Sequence, residues 1–225
     1  MVLRCRELGR RDILRGIAVS LLAVLLSVTV PVAGTSFAKS QGRHLEPGEA
    51  KALVKSLGDA AVSLLSDKTL TPAEKTRRFR HLLNQSFALK GIARFALGRY
   101  WRRATFKQRR RYLKLFEDYI VNSYAARFGN YAGEQFVVLD ERIDDRGWAV
   151  VTTRIHRPGG EPVKVLWSLR ERLGEVRIVD VTVEGISMSL TQRSDFAASV
   201  RTAGGDMDAF LDTLEAKVRN IKPAG

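Results

Sequence analysis

The side-chain pattern of this chain changes period twice, and that constrains its fold more than any other feature. From residue 49 to about 128, apolar residues recur three or four apart. From Glu134 to Val183 they alternate with polar ones, and after Leu190 the helical spacing returns. A helix stripe and a strand face are both apolar surfaces that must be covered. A run of helices followed by one run of strands and further helices therefore points to an α+β fold. The reading is an antiparallel β-meander of about four strands with helices packed on one face.

Local signals set the expected boundaries. Leu53, Leu57, Ala61 and Leu64–Leu65 mark a helix from Glu49 to Ser66. Thr71 and Glu74 form a capping box with Pro72 at the first helical position, and the helix they open buries Phe79, Leu82 and Leu83. A shorter helix is expected within residues 87–101. Thr105 and Gln108 cap a long one running to about Phe128, with Leu113, Phe116, Ile120 and Tyr124 on its stripe, Tyr112 and Tyr119 beside it, and Gly129 as its stop. Strands open at Phe136 and Val138, at Trp148–Ile155 and at Val163–Leu169, and Val179, Val181 and Val183 alternate along the fourth. Residues 144–147, 157–160 and 173–175 read as turns. Gly204-Gly205-Asp206 separates two closing helices, the last burying Phe210, Leu211, Leu214 and Val218.

The first 38 residues read as a cleaved export signal. Five arginines precede an apolar run from Ile17 to Val32, and Ser36-Phe37-Ala38 offers small residues for cleavage. A membrane anchor is the competing reading, but the run is short and ends in Pro31 and Gly34. The stretch GRRDILR at residues 9–15 loosely resembles a twin-arginine signal; general secretory export fits the whole segment better. Residues 39–48 then form a flexible start and 49–225 a single domain. The single cysteine, Cys5, lies in the signal, so no disulfide or thiol chemistry is expected beyond it. Losing five basic and two acidic residues lowers the net charge from +14 to +11. This balance favours anionic partners, and export to a periplasm makes nucleic acid a poor one.

Catalytic chemistry is thinly represented. His44, His81 and His156 sit in no metal-ligand spacing, and neither a phosphate-cradling loop nor a nucleophile elbow is present. Asp180 and Glu184 stand about 13 Å apart along one strand. That is too far for a glycosidase pair, so ion pairs with nearby arginines are the expectation. No catalytic or metal-binding residue is assigned. One cluster stands out: Arg99, Arg102, Arg103, Lys107, Arg109, Arg110, Arg111 and Lys114, interleaved with Tyr100, Trp101, Phe106 and Tyr112. It reads either as a solvated helix face or as a contact for anionic headgroups or an acidic partner, with Arg99, Arg102, Arg103, Arg109, Arg110 and Arg111 as the contact candidates. The helix dipole adds positive potential there.

Three segments, FALGRYWRRAT (95–105), LFEDYIVNSYAARFGNYAGEQF (115–136) and IVDVTVEGISMSLTQRSDF (178–196), resemble the periplasmic phospholipid-shuttle family MlaC, also called toluene-tolerance or ABC-transporter auxiliary proteins. The likeness spans about residues 50–220. It departs at Phe106, where many members have proline. The resemblance implies a carrier whose apolar cavity between sheet and helices holds acyl chains, with phospholipid as cargo rather than cofactor. It further implies exchange between an outer-membrane lipoprotein complex and an inner-membrane ABC transporter with a lipid-binding ring protein, in maintenance of outer-membrane lipid asymmetry, with peripheral contact with membranes. A related branch implies hopanoid-type cargo as an alternative. The physics is compatible: about 30 methylenes exposed to water would cost about 24 kcal/mol, which a dry pocket removes.

The side chains expected to line such a cavity are Phe95, Leu97, Phe116, Tyr119, Ile120, Val151, Val165, Trp167, Val181, Val183, Ile186 and Met188. Pattern alone does not separate a cavity wall from a filled core. Two other readings therefore stay open: an exported adaptor that binds an acidic protein through its basic helix, and a hydrolase on a similar scaffold.

Overall fold

The computed structural model describes residues 45–221. The export signal, His44 and most of the segment at 39–48 lie outside the described residues.

Helices come first. The α1 helix (Glu49–Ser66) buries Ala50, Val54 and Leu64. The α2 helix (Pro72–Ser86) starts with the expected capping box: Glu74 N donates to Thr71 Oγ1 at 3.2 Å, and Thr71 N donates back to Glu74 Oε2 at 3.0 Å. The single helix expected within 87–101 is instead two, α3 (Leu89–Leu97) and α4 (Arg99–Arg103). Gly98 breaks them apart at φ 58°, a conformation that suits glycine. The α5 helix (Phe106–Ala125) has its own complete capping box at Thr105 and Gln108. It ends at Ala125, slightly before the expected stop, and passes into a 3₁₀ turn over Phe128–Asn130.

Five strands follow in sequence order, every neighbouring pair antiparallel: β1 (Gln135–Ile143), β2 (Ala149–His156), β3 (Val163–Arg172), β4 (Glu175–Val183) and β5 (Ile186–Ser187). The fifth is an addition to the four expected. Glu184 and Gly185, both at positive φ (47° and 81°), make a two-residue hairpin loop that turns the chain back on itself. Val183 then pairs with Ile186, and Thr182 with Ser187. A bulge also interrupts β4: Leu169 pairs with Ile178 but Ser168 with Asp180, leaving Val179 as the extra residue. Ile178 therefore shares the covered face with Val181, although simple alternation would set them on opposite faces.

Two helices close the chain, α6 (Met188–Thr202) and α7 (Met207–Asn220). Asp206 caps α7 by accepting from the Asp208 and Ala209 amides.

The buried apolar residues form two clusters. One is wholly helical, built from α3 to α7 around Tyr112, Phe116, Phe196 and Phe210, whose rings meet with centroids 5.5–6.4 Å apart. The other joins α1 to the sheet through Ala50, Val54, Val151, Leu169 and Ile178. Tyr112, expected beside the α5 stripe, is fully buried at the centre of the helical cluster, and its hydroxyl donates to the Ala93 carbonyl at 2.9 Å. Burial pushes that hydroxyl well above the usual phenol range, so it stays protonated.

Candidate functional site

The two clusters do not close on each other. Beside and between them lies an apolar cavity of two lobes that share part of their lining. The inner lobe, about 500 Å³, is bounded by the α2–α3 junction, α5, the covered face of β3 and β4, and the start of α6. The outer lobe, about 530 Å³, lies under α1 and the end of α5, against β1 and the ends of β2 and β3. Leu57, Ala61, Phe79, Tyr124, Arg127, Ile155 and Trp167 belong to both. Each lobe falls in the ordinary size range of small-molecule sites, roughly 300–1,000 Å³.

Trp167 is fixed at the shared wall. Its indole Nε1 donates to Thr153 Oγ1 at 2.9 Å, and Thr153 is fully buried. Phe87 and Phe136 meet the indole ring edge-on at 6.4 and 6.1 Å. With its polar edge satisfied, the ring offers apolar surface to both lobes. The outer lobe depends on Gly58. A Cβ built there would come 2.2 Å from Phe136 Cδ1, so the glycine gives the aromatic ring its place. Phe79 packs edge-on against Phe128 at 5.1 Å and tilted against Tyr124 at 6.2 Å. Burial raises the Tyr124 hydroxyl above its ordinary range despite the opposing charge of Arg127, so this wall presents a neutral phenol.

Polar groups in the inner lobe are few, and most are mutually engaged. Asp180 accepts from Ser187 Oγ at 2.6 Å and from the Ser189 amide at 3.0 Å, which ties β4 to the first turn of α6. Among the described residues no arginine pairs with Asp180; the start of α6 takes up both its oxygens instead. Glu184 likewise turns to the Lys164 amide rather than to an arginine. Gln192 differs: its buried Nε2 has no hydrogen-bond partner among the described residues. A buried donor left unpaired costs about 1–3 kcal/mol.

Of the side chains expected at a cavity wall, Phe116, Tyr119, Ile120, Val165, Trp167, Val181, Val183 and Met188 all line the inner lobe. Four lie elsewhere. Leu97 is buried among the helices and Val151 beneath α1. Phe95 is 39% exposed under the Arg193 guanidinium, whose centre is 4.9 Å from its ring. Ile186 is 59% exposed because the hairpin at Glu184–Gly185 carries it out to the sheet edge. Val151 and Ile155 share a strand face but differ in what covers them. Ala50 and Val54 of α1 belong to the core around Val151, whereas Ile155 reaches open space. Sequence reasoning missed Leu57, Ala61, Leu83, Phe87, Ile92, Tyr124, Ile155, Val179 and Gln192 as lining residues. Leu57, Ala61, Leu83, Tyr124, Ile155 and Val179 were already marked as apolar by periodicity. No pattern in the sequence pointed to Gln192.

The basic cluster divides in the structure. Arg111 donates to Asp212 Oδ1 at 2.7 Å and to Glu215, binding α5 to α7. Arg109 donates to the carbonyls of Trp101 and Arg102 at 2.9 and 3.2 Å, and Arg99 to the Tyr100 hydroxyl at 3.0 Å. Arg109 and Arg111 are thus engaged within the fold, whereas Arg99 stays exposed beside its neighbour Tyr100. Arg102, Arg103, Lys107, Arg110 and Lys114 remain exposed, with no ion pair among the described residues. Beside them Phe106 is 75% exposed, under the Arg110 guanidinium. His81 and His156 are exposed and apart from the cavity. Among the described residues, no group of three His, Cys, Asp or Glu side chains could hold a metal ion.

Comparisons with known proteins agree with this architecture. A toluene tolerance protein, Ttg2D of Pseudomonas putida, is 26% identical over 126 residues, which cover 56% of this chain and 59% of that protein. The solved structure of a phospholipid-binding protein from Ralstonia solanacearum, in complex with a phospholipid, matches with a TM-score of 0.66. It shares 21% identity, and the match covers 76% of this chain and 98% of that one. The family model described as MlaC protein matches residues 55–216, a span that includes both lobes of the cavity. The chain belongs to the MlaC family.

Proposed function

We propose that this protein is a periplasmic lipid carrier. The observation that carries the reading is the two-lobed apolar cavity between sheet and helices. Two adjoining lobes with a shared wall give a diacyl lipid room for both chains. A solved structure with this fold is that of a phospholipid-binding protein, which supports phospholipid as cargo. Hydrocarbon is stable in a bilayer and in this cavity but not in water, so exchange between them is nearly balanced and docking can set its direction.

The carrier operates between an outer-membrane lipoprotein complex and an inner-membrane ABC transporter with its lipid-binding ring protein, and so maintains outer-membrane lipid asymmetry. Arg102, Arg103, Lys107, Arg110 and Lys114, with the exposed Phe106, suit an acidic docking partner or anionic headgroups. No step requires bond cleavage or a cofactor.

The test is native mass spectrometry of residues 39–225 purified from a bacterial periplasm, followed by extraction and lipid identification. A stoichiometric phospholipid adduct is expected. A hopanoid mass would reassign the cargo. A lipid-free protein that takes nothing up from liposomes would overturn the carrier reading and favour an adaptor.

A further inference from the structure

The Gln192 amide stands out because it breaks a rule that the rest of the inner lobe obeys. Both Asp180 oxygens are engaged by Ser187 and Ser189, and Thr191 Oγ1 donates to the Ser187 carbonyl at 2.9 Å. Gln192 Nε2 is buried and unpaired. Met188 and Gln192 are one turn apart on α6 and both line the inner lobe. The amide is therefore a neutral hydrogen-bond donor in a mostly apolar lobe, close in the chain to polar groups already engaged with one another.

We propose that Gln192 is a polar anchor for the cargo, its Nε2 donating to an ester carbonyl of a diacyl glycerophospholipid held in the inner lobe. The inference rests on the lipid-carrier reading and adds to it a residue that selects among lipids. An ester carbonyl fits better than a phosphate for two reasons. The donor is neutral, and the charged groups of this lobe are Asp180, which would repel a phosphate, and Arg127, which stands at the wall shared with the outer lobe. A saturated hydrocarbon has no acceptor, and an alkyl ether has only a weak one. The anchor thus distinguishes ester lipids from ether lipids of the same chain length and headgroup.

The experiment loads the purified protein from vesicles containing equal amounts of diester and diether phosphatidylglycerol with matched chains, and counts each cargo by native mass spectrometry. Wild type should take up the diester lipid about fivefold over the diether, the size of one neutral hydrogen bond. Gln192→Met, similar in length but without the donor, should load both about equally, the diester preference falling from about fivefold to about one. Gln192→Leu is the second variant should the first not fold, and thermal unfolding of each checks this. Equal loading of both lipids by wild type, or an undiminished preference in the variants, would overturn the anchor while leaving the carrier reading intact. Wild type that loads neither lipid would overturn both.

Discussion

The two ends of the apolar α5 stripe are made of the same kinds of residue and do different things. Toward the N-terminal end Tyr112 meets Phe116, Phe196 and Phe210 in a filled aromatic cluster and is fully buried. Phe116 and Tyr119 stand at the boundary, each touching Phe196 and also lining the cavity. Toward the C-terminal end Ile120 and Tyr124 face the cavity. Apolar periodicity marks both ends alike. What differs is the opposing surface. The first end meets α3, α6 and α7, whose side chains fill the space between them. The second meets a sheet covered by α1 only along part of its face, around Val151, Leu169 and Ile178. An apolar stripe shows that a face is covered, but not how completely.

That contrast can be broken by truncation. Leu211→Ala, in the filled helical cluster, should cost about 2–5 kcal/mol, because a new void adds to the lost transfer energy. Ile120→Ala enlarges space that already exists and should cost only about 1–2 kcal/mol. Urea unfolding measures both, and equal costs would mean that the α5–sheet gap is ordinary core.

Gly58→Ala attacks the cavity from the opposite direction. The added methyl displaces the Phe136 ring, with an expected loss of about 1–3 kcal/mol and less outer-lobe volume. The double variant Gly58→Ala/Phe136→Leu should recover most of that loss. Without recovery, the ring is not what the glycine accommodates.

A polar intrusion should spare the fold and affect the cargo. Val181→Gln projects an amide into the inner lobe and should reduce co-purified lipid severalfold at a nearly unchanged unfolding midpoint. Unchanged lipid content would remove Val181 from the wall.

The basic cluster offers a similar pair. Arg111→Glu breaks the link from α5 to Asp212 and Glu215, so it should lower the unfolding midpoint. Arg110→Glu should leave stability within about 0.5 kcal/mol and slow lipid transfer to anionic acceptor vesicles, an effect that salt diminishes. Equal stability losses would contradict the division between structural and exposed arginines.

The smallest effect is expected between α2 and α5, where Arg80 pairs with Glu117 and Asp118, each at 2.8 Å. Partial burial pushes the Glu117 carboxyl up, but hydrogen bonds from Arg80 and Asn84 outweigh it and leave the group below its ordinary range. A lowered folded value stabilises the protein above the unfolded value, about pH 4.3, and that contribution is lost as pH falls through the folded value. Glu117→Gln should therefore cost at most about 1 kcal/mol at neutral pH, given its solvent screening. The difference from wild type should vanish in strong acid; a constant difference would assign the loss to packing.

The helices capped at Thr71 and Thr105 and the order of the first four strands were legible because each rests on local chemistry. Three features were not. The break at Gly98 and the β5 hairpin at Glu184–Gly185 depend on positive φ, which a glycine permits but does not require. The bulge at Val179 shifts the strand face in a way no alternation announces. Both strand features bear on the site: the hairpin carries Ile186 out of the cavity wall, and the bulge lies at a lining residue. Gln192 carried no signal at all, since an exposed helix glutamine and a buried unpaired one look the same in a sequence.

The central claim, that acyl chains occupy the cavity, is tested most directly at Trp167, which lines both lobes. In the variant Trp101→Phe/Trp148→Phe, Trp167 is the sole indole. Its emission is then compared after loading with phosphatidylglycerol brominated on the acyl chains and with the unbrominated lipid. Strong quenching by the brominated chains at one lipid per protein is the predicted result. Unquenched emission at the same lipid occupancy would put the chains elsewhere and contradict the account.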